Sequence, residues 1–349
     1  MKKKIDIRQL SLEQLTDEIV KLGEKPYRAK QVHQWLWKKR AVDFDQMTNL
    51  SKSFRKLIEN NFIINALVLS EAQISLDKTI KNAFLLADNS VIEGVLIPTK
   101  KRMTACVSVQ VGCSLDCAFC ATGKLKRVRN LNADEIYDQV VMINDQSQKE
   151  YSIPISNIVY MGMGEPLLNY KNVLLSVDRI TSEDGLGMSA KRITISTAGI
   201  HKKIIRLADD KVKFNLALSL HAANDEKRNK IMPINESNSL NSLKEAMIYF
   251  SEMTGTRPTL EYIIFKDFND EISDAEELVQ FAKSFPSKIN IIEYNSIDDG
   301  KYQQATVKKV DAFANYLESK NLIVNIRRSR GKDIDAACGQ LANKNELAR

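Results

Sequence analysis

From residue 105 onward, short apolar runs rich in β-branched residues alternate with stretches whose apolar positions recur at helical spacing. The strand candidates are 106–111, 157–161, 192–197, 214–220, 259–265 and 288–294, with a basic final run at 323–328. Between them, 133–146, 170–180, 201–208, 240–253, 273–284 and 306–319 read as helices. This alternation predicts a parallel sheet, because successive parallel strands need a crossover connection. Six units are too few to close an eightfold barrel. The expected fold class is therefore α/β, a partial (β/α)6 TIM-like barrel, with a doubly wound sheet as its rival.

Upstream the pattern differs. Ser11-Leu12-Glu13-Gln14 has the form of a capping box, and Leu15, Ile19, Val20 and Leu22 follow at near-helical spacing. Pro26 opens a second helix over 27–39, whose apolar side is Val32, Trp35, Leu36 and Trp37, and 51–61 makes a third. That spacing suits core packing of the two tryptophans better than base stacking. Two β-prone runs, 79–87 and 91–98, flank Asp88-Asn89-Ser90, a hairpin turn. The expected organisation is a basic helical accessory domain over 1–75, a β-hairpin connector over 76–104, the barrel over 105–330 and a C-terminal segment over 331–349.

Charge sharpens this picture. Residues 1–60 hold 14 Lys and Arg against 8 Asp and Glu, and so carry +6 of the formal +7. Two shorter clusters follow, Lys124, Lys126, Arg127 and Arg129, then Arg327, Arg328, Arg330 and Lys332. Each alone is compatible with a solvated basic surface, but both lie beside cysteines, which points to a polyanionic partner, nucleic acid. The chain opens Met-Lys-Lys-Lys-Ile-Asp without the apolar stretch of a signal peptide, and no apolar run approaches the roughly 20 residues that cross a bilayer. The expectation is a cytoplasmic protein with no membrane association. In a reducing compartment its five cysteines point to metal binding, catalysis or packing rather than structural disulfides.

Three of them, Cys113, Cys117 and Cys120, stand in Gly-Cys-Ser-Leu-Asp-Cys-Ala-Phe-Cys. Three thiolates leave one corner of an iron–sulfur cube unclaimed, which suits chemistry better than scaffolding. The plainer alternative is three small apolar residues on one helix face. Active residues of such folds gather at the C-terminal ends of the strands. There stand Gly162-Met163-Gly164-Glu165-Pro166, Ser196, Ser219-Leu220-His221 and Asn295. Singly, such residues are commonly turns or caps; recurring at one end of successive strands, they describe a site. Glu93, among Val91, Ile92, Val95 and Leu96, reads by local pattern as facing solvent, the alternative being a base at a pocket edge.

In these residues the sequence resembles the radical S-adenosylmethionine (radical SAM) enzymes, whose signature is Cys-x-x-x-Cys-x-x-Cys. Within them it resembles the RlmN family, the bacterial RNA adenine-C2 methyltransferases. The run from Cys106 to Gly112, the Gly162–Asn169 run, Ser196-Thr197-Ala198-Gly199, Ser219-Leu220-His221-Ala222, Met232-Pro233-Ile234-Asn235 and the stretch from Asp333 to Leu341 support it. The resemblance implies a [4Fe-4S] cluster on Cys113, Cys117 and Cys120, and S-adenosyl-L-methionine (SAM) in a pocket lined by Gly164, Glu165, Ser196, Ser219, Leu220, His221 and Asn295. It implies Cys338 as a methyl-carrying cysteine, Cys106 as its partner in a transient disulfide and Glu93 as proton acceptor, with two SAM molecules consumed. The implied substrates are an adenosine in the peptidyl-transferase region of 23S rRNA and the adenosine 3′ of the anticodon in some tRNAs. A monomer served by an electron donor such as flavodoxin completes the expectation. The nearest enzyme alternative methylates adenine carbon 8, against which Pro166 speaks. A non-enzyme alternative is an RNA-binding protein with a structural zinc, although such sites close with four ligands.

Overall fold

The computed structural model describes residues 4–100, 102–298 and 300–344. The chain starts with strand β1 (Ile5–Asp6) and helices α1 (Leu12–Lys21), α2 (Tyr27–Trp37) and α3 (Lys52–Asn61), then β2 (Phe62–Ile63), which pairs in parallel with β1. The capping box at Ser11 forms as the sequence leads one to expect: the Ser11 hydroxyl accepts from Gln14 N–H, and the Gln14 side chain accepts from Ser11 N–H. Trp37 is buried and meets Tyr137 edge-on at 5.5 Å, with the Arg179 guanidinium 4.4 Å from its ring. Its role is packing, as its helical spacing indicates.

Four strands follow: β3 (Val68–Ile74), β4 (Ile80–Leu85), β5 (Val91–Pro98) and β6 (Met103–Cys106). A two-stranded ribbon, β7 (Gln110–Val111) with β8 (Arg129–Asn130), brackets the cysteine loop. The chain then runs α4 (Ala133–Tyr151), β9 (Asn157–Tyr160), α5 (Tyr170–Thr181), β10 (Ile193–Thr197), α6 (His201–Asp209), β11 (Asn215–Ser219), α7 (Asp225–Ile231), α8 (Leu240–Thr254), β12 (Thr259–Ile264), α9 (Ile272–Ala282), β13 (Lys288–Glu293), α10 (Val307–Ser319) and β14 (Val324–Arg327).

One sheet joins ten of these strands in the order β14-β13-β12-β11-β10-β9-β6-β5-β4-β3. From β6 to β14 every neighbour is parallel and follows chain order, with no reversal. A doubly wound sheet reverses its strand order at a switch point, so the partial barrel stands and its rival falls. The strands read as near-continuous apolar runs because helices cover them, and Ile158, Ile195, Leu218, Leu260 and Ile291 are fully buried. β5, β4 and β3 extend the sheet antiparallel beyond β6.

The run expected as one strand over 106–111 is split. β6 stops at Cys106, and the buried Gln139 takes over the backbone of Ser108, accepting from its N–H at 2.9 Å and donating to its carbonyl at 3.1 Å. This lets the chain leave the ladder and turn into the cysteine loop. Besides the two-residue strands β1, β2 and β8, the elements that escape the sequence pattern are β3 and α7. β3 pairs only with β4 and exposes much of both faces, and α7 buries only Arg228 and Ile231.

β14 has a single neighbour, so the barrel stays open, and the C-terminal segment crosses the opening. At its start Gly331 N–H donates to Asp77 Oδ2 at 2.9 Å, and Asp333 accepts from the Ser75 hydroxyl and Leu76 N–H. At its end Ala342 and Asn343 N–H donate to Glu93 Oε2 on β5 at 2.9 and 3.0 Å.

Candidate active site

Positioning begins with Gly112, whose φ of +72° and closeness to Lys126 O, 2.2 Å from where a Cβ would lie, admit no side chain. That turn sends Cys113, Cys117 and Cys120 to the end of the barrel, where all three line one open-mouthed cavity. Burial holds the Cys113 thiol up at about 11 and pushes those of Cys117 and Cys120 upward too. Loading a metal cluster must therefore displace protons. Among the described residues no three Cys, His, Asp or Glu side chains are grouped to hold a metal ion. Three cysteines also leave a structural zinc one ligand short.

The opposite wall comes from the strand ends. Gly164, Glu165, Ser196, Ser219 and His221 line the same cavity. Glu165 accepts from Leu167 N–H at 2.9 Å and Ala198 N–H at 2.8 Å, which fixes its carboxylate; burial raises its proton affinity and the two amides oppose this. Gly164, at φ +97°, lies against Gln110, whose Cβ is 2.5 Å from where its own would be, so the protein itself requires this glycine. The Ser196 and Ser219 hydroxyls are 3.2 Å apart. His221 is pushed down to about 3 by burial, then by Arg228, and its Nδ1 accepts from Ile263 N–H at 3.1 Å. Leu220 is fully buried behind the wall, and Asn295 sits beyond it, donating to Cys338 O at 3.2 Å.

Cys338, far along the chain, lines this cavity with an exposed thiol. It is held there by Gly339 O, which accepts from Ala121 N–H at 2.7 Å, and by Leu341 O, which accepts from the Thr122 hydroxyl at 2.6 Å. Cys106 is buried at the end of β6, outside the cavity lining, and burial pushes its thiol up to about 12, with Cys338 adding to the effect. Both thiols are free. Glu93 is 1% exposed, against its local pattern, with Oε2 taken by the C-terminal segment and Oε1 3.7 Å from Lys81 Nζ.

The basic cluster before Cys338 is largely spoken for. Arg328 and Lys332 pair with Glu293 at 2.5 and 3.1 Å, and Arg330 with Asp77 at 3.6 Å. Arg327 alone of the four lines the cavity; it pairs with Glu261 at 3.1 Å and is electrostatically coupled to Cys338 and Cys106. The sequence reading missed Glu261. Its only signal is a carboxylate inside the apolar run Thr-Leu-Glu-Tyr-Ile-Ile.

The thiol set, the cavity and the strand-end groups fit an iron–sulfur cluster with SAM beside it, and comparison with known proteins bears on this directly. The family model for the radical SAM superfamily matches residues 107–282, and that for the ribosomal RNA large subunit methyltransferase N-terminal domain matches 5–64. A relative from Cytophaga hutchinsonii, named a probable dual-specificity RNA methyltransferase RlmN, is 59% identical over 98% of this chain and 94% of its own.

This chain belongs to the RlmN family of the radical SAM superfamily.

A second RlmN relative, from Fervidobacterium nodosum, is 42% identical over 97% of both chains. A solved radical SAM methyltransferase from Sphaerobacter thermophilus superposes with a TM-score of 0.90 at 36% identity, over 97% of this chain and 99% of that one. Membership of the radical SAM superfamily implies SAM and an iron–sulfur cluster as cofactors. Among the described residues no helix is long and apolar enough to cross a membrane.

Proposed function

We propose that the chain is a dual-specificity RNA methyltransferase acting on carbon 2 of adenosine, in the peptidyl-transferase region of 23S rRNA and 3′ of the anticodon in some tRNAs. The observation that carries this is Cys338: its exposed thiol lines the same cavity as Cys113, Cys117 and Cys120, although more than half the chain separates them. Carbon 2 of adenine is electron-poor and does not attack an electrophilic methyl group, so the methyl needs a carrier next to a radical source.

Cys113, Cys117 and Cys120 would hold a [4Fe-4S] cluster, with SAM against Glu165, Ser196, Ser219 and His221. When bound, these groups supply a carbon radical able to take hydrogen from a methyl group. The remaining work belongs to the chain. The Cys338 sulfur would accept a methyl group by displacement, a reaction of the thiolate, with Arg327 as the positive charge on the cavity wall. Glu93 would receive the proton that leaves carbon 2, at Oε1 while the C-terminal segment holds Oε2. Cys106 sulfur, giving up its proton, would then bond to Cys338 sulfur as the bond from that sulfur to the transferred carbon breaks; the electron pair goes to that carbon, which takes up a proton to become the methyl group on the base, and the one electron left from the radical addition returns to the electron donor. Thiol exchange with an external reductant would restore both cysteines. An electron donor of the flavodoxin type would serve the cluster.

The carbon-8 alternative is not favoured, since relatives at 40 to 59% identity over nearly all of both chains carry the RlmN name. Mass spectrometry of nucleosides from rRNA and tRNA treated with the reconstituted enzyme tests the assignment. 2-Methyladenosine is expected in both; 8-methyladenosine would transfer the chain to the other activity, and unmodified RNA would remove the proposal.

A further inference from the structure

Three cations are buried among the described residues, Arg8, Lys81 and Arg228. Arg8 faces Asp134 and Asp138 at 3.2 and 2.8 Å, and Lys81 faces Glu93 at 3.7 Å. Arg228, 0% exposed, pairs with no carboxylate among those residues. Its Nε donates to Leu220 O at 3.0 Å, Nη1 to Asn235 Oδ1 at 2.6 Å, and Nη2 to Ala198 O and Ser219 O at 2.6 and 3.1 Å. These neutral acceptors satisfy the guanidinium's hydrogen bonds and leave its charge unbalanced. A buried ion is ordinarily paired or placed beside a metal centre.

The surroundings show where the missing negative charge belongs. α7, which carries Arg228, ends against the cysteine loop, where Ala118 N–H, between Cys117 and Cys120, donates to Ile231 O at 2.9 Å. Ala198 and Ser219, which accept from Arg228, also form the cavity wall facing the three thiols. Burial drives the guanidinium down to about 10, and the leading influence against this is Cys117. Asp225 opposes it less than Cys117 does; it makes no ion pair with the guanidinium and is linked to it by hydrogen bonds through Asn235, whose Nδ2 donates to Asp225 at 2.8 Å.

We propose that Arg228 is the fixed counter-charge of the iron–sulfur cluster and raises its reduction potential. The assignment rests on reading Cys113, Cys117 and Cys120 as the cluster's ligands. A cube bound through three thiolates is anionic, and each electron it accepts deepens that charge. A cation fixed in the interior behind the cavity wall therefore stabilises the reduced form more than the oxidised one. Local sequence holds no hint of this, because Arg228 sits in the polar run Asp-Glu-Lys-Arg-Asn-Lys, which reads as a solvated surface.

The test is an anaerobic redox titration of the full chain reconstituted with iron and sulfide, without SAM, following the reduced cluster by electron paramagnetic resonance. Arg228→Gln is expected to lower the reduced-to-oxidised ratio at a fixed ambient potential about tenfold, a midpoint about 59 mV more negative for one electron. Arg228→Lys, which keeps the charge, is expected to stay within about threefold of the unaltered protein. An unchanged midpoint in Arg228→Gln overturns the proposal. Circular dichroism of the cluster-free forms covers the folding question. Arg228→Gln and Arg228→Met should both fold, since removing an uncompensated cation also removes its desolvation cost; failure of both makes Arg228 a structural residue and overturns the assignment. If the unaltered chain takes up no reducible cluster, the reading of the three cysteines fails first and this inference with it.

Discussion

Cys106 and Cys338 present opposite faces to a soluble reagent. Cys106 is buried and its thiol is pushed up to about 12 by that burial, whereas Cys338 is exposed at the cavity wall. Only the thiolate alkylates at a useful rate. In a timed iodoacetamide reaction near pH 8, read by peptide mass mapping, Cys338 should be labelled well before Cys106; equal rates would contradict the buried setting of Cys106. Arg8 supports a second residue-level expectation. It is clamped between Asp134 and Asp138, and Arg8→Met strands two carboxylates in the interior. A loss of about 3–5 kcal/mol in urea unfolding is expected, and a loss below about 1 kcal/mol would mean that the clamp contributes little. At this scale the cysteine triplet and the strand-end polar groups were legible in the sequence. Glu93 was not legible from its neighbours, because its partners at Ala342 and Asn343 lie some 250 positions away, beyond the reach of a local pattern.

The parallel strands were legible because burial on both faces makes them nearly continuous apolar runs. β3 was not, since an edge strand with exposed faces keeps no alternation to detect, and α7 shows only two buried positions. Two element-level contacts make predictions. α2 meets α5 where Arg179 Nη1 lies 2.8 Å from His33 Nε2, an arrangement that needs a neutral imidazole accepting the bond. Burial, then Arg179, lowers His33 to about 4. Between pH 6.5 and 4 the unfolded chain thus binds a proton that the folded chain refuses, so stability is intact above this window and is lost as pH falls through it. Up to about 1.4 kcal/mol per pH unit is expected from this residue. His33→Asn should flatten the decline of the urea midpoint between pH 7 and 5, and an unaltered slope would exclude His33 as its source. The C-terminal segment is the other case. Asp77 and Asp333 hold its start to the loop between β3 and β4. The double change Asp77→Asn and Asp333→Asn should speed hydrogen exchange over 331–344 at least several-fold; unchanged protection would show that the contacts around Glu93 and Thr122 suffice.

Over the whole molecule, positive charge divides into spent and available groups. Arg328 and Lys332 share Glu293, with Asp311 a further 3.9 Å contact of Arg328, and Arg129 pairs with Asp88 and Glu135. Lys124, Lys126 and Arg127 are exposed beside the cavity mouth, with no carboxylate partner among the described residues. Lys38, Lys52 and Lys56 on the helical segment are likewise unpaired, whereas Arg40 and Arg55 make exposed pairs with Asp145 and Asp45. Counting charges in the sequence could not separate these groups, because the acidic partners come from distant strands. Neutralising Lys124, Lys126 and Arg127 together should lower the slope of log affinity for RNA against log salt by about 0.7 to 0.9 for each phosphate that goes unneutralised; an unchanged slope would place the RNA elsewhere. The central claim, that a cysteine near the C-terminus carries the methyl group across the open side of the barrel, has a more direct test. The cluster-loaded enzyme is turned over with methyl-labelled SAM and then digested for peptide mapping. One labelled methyl group on Cys338 and none on Cys106 is the predicted result. Label that reaches RNA at full yield from a Cys338→Ala enzyme would contradict it.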